Sequence, residues 1–136
     1  MRRQTTFALL AGGSLAGVDL GVWGLTFKAN TDDVRDSPAV YIVRRLLDEG
    51  AVIRAYDPAA RPDAVDLPGL TRVESALDAA KGAELLVVLT EWDEFRWVEV
   101  ADLAEVIGTR RVLDTRNVLD AVALRRRGWE YEGVGR

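Results

Sequence analysis

The sequence predicts an α/β domain: a five-stranded parallel sheet with helices on both faces, three layers in all. Three observations carry this. Short apolar runs alternate with stretches of helical periodicity, in the order βαβαβαβαβ. Gly, Pro, Ser and Asp punctuate the junctions between them. The composition, 49% hydrophobic and 29% charged over 136 residues, suits one domain with a real core.

Val18 to Phe27 is apolar and meets polar Lys28 to Asp33, which predicts a buried first strand and its exit loop. Ser37-Pro38 opens the first helix, Ser as N-cap and Pro where its missing N–H costs nothing. Ala39, Ile42, Val43, Leu46 and Leu47 form its apolar stripe, and Gly50 ends it. Ala51 to Tyr56 is the second strand, stopped by Asp57-Pro58. A loop to Leu70 follows, then a capping-box pattern at Thr71 and Glu74 ahead of a helix striped by Val73, Ala76, Leu77 and Ala80.

Glu84 to Leu89 holds five apolar residues in six and reads as a strand buried on both faces. Val100, Leu103, Ala104 and Ile107 mark the third helix, closed by Gly108. Arg110 to Asp114 is the fourth strand, and Asp120 caps a short helix ending at Gly128. Alternation over Trp129 to Glu132 predicts a final edge strand. Residues 1–17 are expected to be a linker remnant ahead of a domain at 18–136. Met1-Arg2-Arg3 before an apolar stretch has only the outline of a signal peptide, and the uncharged run is too short and Gly-rich to span a membrane.

The 18 basic and 22 acidic residues are spread evenly, so no basic face for nucleic acid is expected. With no Cys and no His, the chain has no disulfide, no thiolate or imidazole metal site and no covalent thiol chemistry of its own. No D-x-D-x-D-G loop offers a calcium site either.

In a parallel sheet of this kind ligands bind at the carboxyl ends of the strands, where the strand order reverses. An order 3-2-1-4-5 of the five expected strands would put the first and fourth at that reversal. Their exit loops carry Lys28, Arg35 and Arg116, beside the helix N-terminus at Ser37. Three cations there would suit an anion such as a pyrophosphate. Pairing with Asp32, Asp33, Asp36 and Asp114 is an equally weighted reading. Gly21-x-x-Gly24 is not the G-x-G-x-x-G cradle of a dinucleotide site, and Asp57-Pro58 reads as a turn former rather than a ribose-binding acid. Trp92, Phe95 and Trp97 read as packing beneath a loop, with base stacking or an interface as alternatives. Glu91 is a polar candidate at the same edge. Arg125 to Arg127 reads as a solvated face at a helix C-terminus.

The segment Gly24-Leu25-Thr26-Phe27-Lys28-Ala29-Asn30-Thr31-Asp32-Asp33-Val34-Arg35-Asp36-Ser37-Pro38 resembles the motif opening the C-terminal, UDP-binding domain of the UDP-glucose/GDP-mannose dehydrogenase family. Ala55 to Pro58, Thr90-Glu91-Trp92, Leu113 to Asp120 and Gly133 to Arg136 follow in that family's order, so the resemblance covers about residues 12–136. It implies a Rossmann-like fold and a cytoplasmic oxidoreductase that converts UDP-glucose to UDP-glucuronate with NAD. It also implies that Phe27, Lys28 and Arg116 contact the UDP-sugar and that Arg35 reaches NAD held by another domain.

The family's NAD-binding domain and catalytic Cys have no counterpart in these residues. The expectation is therefore a UDP-sugar-binding part, inactive alone, whose catalysis needs a complementing chain. A non-catalytic UDP-sugar-binding or subunit-interaction module, self-associating through surface meant for other domains, is the alternative. A receiver-like domain fits poorly, because the third strand exits into Thr90-Glu91-Trp92 rather than a phosphorylatable Asp. A functionless relic is a further alternative, although intact caps and stripes argue that the domain still folds.

Overall fold

The computed structural model describes residues 15–134. The signal-like outline at Met1, most of the expected linker and the end of the Gly133 to Arg136 motif lie outside the described residues. One sheet holds β1 (Asp19–Trp23), β2 (Val52–Tyr56), β3 (Leu70–Arg72), β4 (Leu85–Val88), β5 (Arg111–Asp114) and β6 (Glu130–Gly133). The helices are α1 (Pro38–Asp48), α2 (Ala76–Ala80), α3 (Val100–Val106) and α4 (Ala121–Arg126), with a 3₁₀ turn at Asp93–Trp97. Every strand pairing is parallel, and the spatial order is β3-β2-β1-β4-β5-β6.

Six strands replace the five expected. β3 is the addition: it spans three residues, too few to show a period, and follows Pro68-Gly69. It is fixed by pairing with β2, flanked by Ile53 N–H to Gly69 C=O and Val73 N–H to Ala55 C=O. Thr71 thus lies in a strand and caps no helix. The N-cap of α2 is Ser75, whose Oγ accepts from Asp78 N at 3.0 Å.

The extra strand also corrects the neighbours of β1. The strand at 85–88, not the one at 111–114, lies beside β1 at the reversal. β1 itself ends at Trp23, four residues before Phe27. The other caps stand where expected: Ser37 before α1 and Asp120 before α4, the latter accepting from Ala123 N at 3.0 Å.

A row across the sheet shows why this order is stable. Arg72, Ala55, Val22, Val87, Leu113 and Glu132 are successive partners, so apolar side chains fill the centre and charges fall at the edges. In β4, Leu85 and Val87 join the core under α1, with Ala39, Val43 and Leu46. Leu86 and Val88 join the other core, with α2, Leu103 of α3 and Leu124 of α4. This is the period of two expressed on a strand covered on both sides. Leu15 is also buried in the α1-side core, so packing begins ahead of residue 18.

Gly21 lets α2 approach β1. A Cβ there would lie 2.5 Å from the Ala79 carbonyl oxygen, and Trp23 Nε1 donates to Ala76 C=O at 2.8 Å beside it. Gly21→Ala is therefore expected to cost about 1–3 kcal/mol through overpacking. It should lower the urea midpoint with little change in slope. An unchanged midpoint would show that the helix moves aside freely.

Candidate functional site at the carboxyl edge

The exit of β1 is shaped by backbone contacts before any exposed side chain is placed. Gly24 has φ +102°, and a Cβ would fall 2.4 Å from Thr90 Cβ, so glycine is required on both counts. Beyond it, Leu25 N and Thr26 N donate to Asp57 Oδ2 at 2.7 and 3.0 Å, and Thr26 Oγ1 donates to the same oxygen at 3.1 Å. Asp57 Oδ1 accepts from Ala59 N and Ala60 N at 2.8 and 2.9 Å. Asp57 is thus the turn former expected of Asp-Pro, and it also clamps two exit loops together. Both oxygens are committed, so no acid is left there for a ribose.

Two further ties fix the same stretch. Ser37 Oγ donates to Leu25 C=O at 2.9 Å while accepting from Val40 N at 3.4 Å. Thr90 Oγ1 donates to Thr26 C=O at 3.1 Å, and Trp92 Nε1 donates to Thr26 Oγ1 at 3.1 Å. On this frame Phe27 emerges 46% exposed, with Lys28 exposed next to it. Phe27 N donates to Asp33 C=O at 2.7 Å, folding the polar loop back on itself.

Arg35 is exposed and gripped side-on by Asp33, Nε to Oδ1 at 3.1 Å and Nη2 to Oδ2 at 3.2 Å. This hydrogen-bonded pair holds the Asp33 carboxyl below its ordinary value and Arg35 above its own. Arg72 of β3 donates to the carbonyls of Arg61 and Ala60 at 2.9 and 3.0 Å, bracing the β2 exit loop. Burial lowers its pKa, and the Asp57 charge opposes that shift.

The exits of β4 and β5 form the other side. Asp114 is fully buried, and its carboxylate accepts from Leu119 N and Tyr131 Oη at 2.8 Å each and from Arg116 N at 3.3 Å. Thr115 Oγ1 donates to Val88 C=O at 2.7 Å. Between these anchors the Arg116 side chain meets Glu91, Nε to Oε1 at 3.0 Å. The three aromatics separate. Phe95 is buried and stacks on Trp23 with centroids 5.1 Å apart, Trp92 is half-buried, and Trp97 is 78% exposed. Packing beneath a loop therefore holds for Phe95 and not for Trp97. Arg125 is only partly a solvated cation: its guanidinium lies over Tyr131, 5.2 Å from the ring centroid.

All four candidate residues stand on exit loops at the carboxyl edge, Phe27, Lys28 and Arg35 on that of β1 and Arg116 on that of β5. Phe27 and Lys28 border the reversal from β1. The exit facing them across it is that of β4, which carries Glu91 and Trp92. Arg116 comes from β5, one strand further out, and Arg35 lies at the start of α1. A cleft of about 620 Å³ opens there, lined by Arg35, Ser37, Tyr41, Arg44, Asp63 and Asp66 among others. Arg35 takes one of the expected aspartates, whereas the Arg116 side chain takes Glu91 and leaves Asp114 to backbone N–H groups and the Tyr131 hydroxyl. Among the described residues no group of three or more His, Cys, Asp or Glu side chains could hold a metal ion, and no helix is long and apolar enough to cross a membrane. The sequence pattern missed the joint role of Thr26 and Asp57; the only signal for it was an Asp-Pro at a strand end.

Comparison with known proteins follows the same residues. The model of the UDP-glucose/GDP-mannose dehydrogenase family, UDP binding domain, matches residues 21–121. The UDP-glucose 6-dehydrogenase of Rhizobium meliloti is 40% identical over 127 residues, covering 93% of this chain and 29% of that protein. The Rickettsia conorii protein of the same name is 36% identical over 131 residues, 94% and 30% of the two chains. The solved UDP-glucose dehydrogenase from the archaeon Pyrobaculum islandicum superposes with a TM-score of 0.72 at 29% identity, covering 95% of this chain and 28% of that one. This chain thus spans about 30% of the length of the relatives it matches.

Two outcomes check the geometry. Asp57→Ala strands four backbone N–H groups and should cost at least about 3 kcal/mol of stability, read from urea unfolding. A loss within experimental error would mean that the loops do not depend on the clamp. In an NMR titration the Asp33 carboxyl should have a midpoint below 3.8 that returns towards it in Arg35→Ala. Because the folded value is the depressed one, the pair supports folding above the ordinary carboxyl range and ceases to as pH falls through the folded midpoint.

Proposed function

The chain belongs to the UDP-glucose/GDP-mannose dehydrogenase family, and on that premise we propose that it binds a UDP-sugar at the carboxyl edge of its sheet. In this reading Phe27 and Lys28 take the ligand from the β1 exit and Arg116 takes it from the β5 exit. Lys28 supplies a point charge to the diphosphate, and Arg116 a planar pair of donors. The observation that carries the reading is the rigid frame under Phe27-Lys28: Asp57, Ser37, Thr90 and Trp92 all bind Leu25 or Thr26, the two residues before it. Such a frame lowers the cost of ordering a loop on binding.

NAD enters the proposal only through the rest of the enzyme. The β1–α1 connection lacks the glycine cradle, and Asp57 is committed on both oxygens, so these residues do not suit a dinucleotide of their own. Arg35, 88% exposed along its side chain, would reach NAD held by another domain. Hydride chemistry would come from that cofactor. The chain by itself would be inactive in oxidising UDP-glucose, and a complementing NAD-binding chain with the thiol would be its partner. A cytoplasmic place belongs to the same proposal. Trp97, exposed on the 3₁₀ turn, favours a second reading in which this face meets another subunit; Trp97→Ser should then shift a self-associating chain towards monomer in sedimentation.

Calorimetry with UDP, UDP-glucose and UDP-glucuronate tests the main reading. Binding is expected to be weak, because further domains would close the site. Lys28→Ala with Arg116→Ala should weaken UDP binding by tenfold or more, about 1.4 kcal/mol. Equal affinity of wild type and the double variant would refute the residue assignment. NADH formation from UDP-glucose is expected only after co-expression with the complementing chain.

A further inference from the structure

We propose that Glu91 is an electrostatic latch on Arg116, holding it against the β4 exit until an anionic ligand takes its place. The inference rests on the UDP-binding reading above and adds a regulating residue to that site. Glu91 is the first of three carboxylates on the β4 exit, which lies between the β1 and β5 exits; Asp93 pairs with Arg96 and Glu94 accepts from Tyr56 Oη, which leaves Glu91 to meet Arg116. The residues on either side of Glu91 are tied to the β1 exit by their side chains. Thr90 Oγ1 donates to Thr26 C=O, and Trp92 Nε1 donates to Thr26 Oγ1. These ties keep the chain at Glu91 beside the β1 exit, within reach of Arg116.

The pair is close but imperfect. Arg116 Nε and Glu91 Oε1 are 3.0 Å apart, with the side chains 38% and 39% exposed. Oε1 itself is shielded from solvent and makes no hydrogen bond of good angle among the described residues. Its compensation is the nearby charge of Arg116 rather than a directed bond. An oxygen in that condition raises the cost of removing its partner. A phosphate drawing Arg116 away must meet that cost, and it also meets the negative charge of Glu91 itself. Both effects oppose binding of a bare anion at this edge. Lys28, across the reversal, belongs to no ion pair among the described residues.

Glu91→Gln keeps the shape and removes the charge. It is expected to tighten UDP binding to the full chain by about twofold to fivefold in calorimetry, the range for a half-exposed ion pair. In an Arg116→Ala background the same substitution should change affinity by less than about twofold, because the latch then has nothing to hold. Glu91→Ala, checked by thermal melting beside wild type, should act in the same direction. Tighter binding that needs Arg116 supports the latch. Unchanged or weaker binding by both Glu91 variants overturns it while leaving the UDP reading intact. An equal gain with and without Arg116 overturns it too, since it would report only the charge of Glu91 at a distance. No UDP binding by wild type or either variant would refute the UDP reading and the latch together.

Discussion

Asp57 ends β2 with a carboxylate that is buried and saturated. One oxygen holds Leu25 and Thr26 of the β1 exit, and the other holds Ala59 and Ala60 of its own loop. A buried charge is tolerated only when its lone pairs are met, and here five donors meet them. Removing the carboxylate would free two loops at once, and Phe27 and Lys28 would lose the base from which they emerge. Arg72 on β3 grips the far side of the same loop by its carbonyls, so even the short edge strand contributes to holding the site.

That clamp works because the sheet brings β1 and β2 into register. Trp23 and Tyr56 are partners at the last paired position, and Gly24 N–H still donates to Tyr56 C=O after β1 has ended. The chain then turns at Gly24, where Thr90 from β4 fills the space a side chain would need. Three neighbouring strands thus end on one another. The ligand edge follows from how the core stops, with apolar contact giving way to backbone donors and carboxylates within one or two residues.

Much of this could be read from residue order. The N-caps at Ser37 and Asp120, the glycine after α1 and the double-sided burial of β4 all follow from local chemistry, and each stands where the pattern put it. β3 could not be read, because three residues carry no period and its pairing with β2 comes from distant backbone. Thr71 to Glu74 imitated a helix start there. Missing that strand put the wrong neighbour beside β1, so that the exit carrying Arg116 stood where the one carrying Glu91 lies. The aromatic cluster failed for a related reason. Spacing on a 3₁₀ turn buries Phe95 and exposes Trp97, although only one residue separates them.

The sequence by itself determined the class of fold, the positions of most elements and the motifs by which the chain is assigned to its family. Local spacing and capping suffice for these, since each depends on residues a few positions apart. Tertiary structure alone decided which exit loops meet, that Asp57 clamps the β1 exit as well as its own turn, and that the Arg116 side chain faces Glu91 instead of Asp114. Those outcomes depend on contacts between segments 25 to 32 residues apart, from Glu91 to Arg116 and from Leu25 to Asp57. Local pattern holds no record of such pairings.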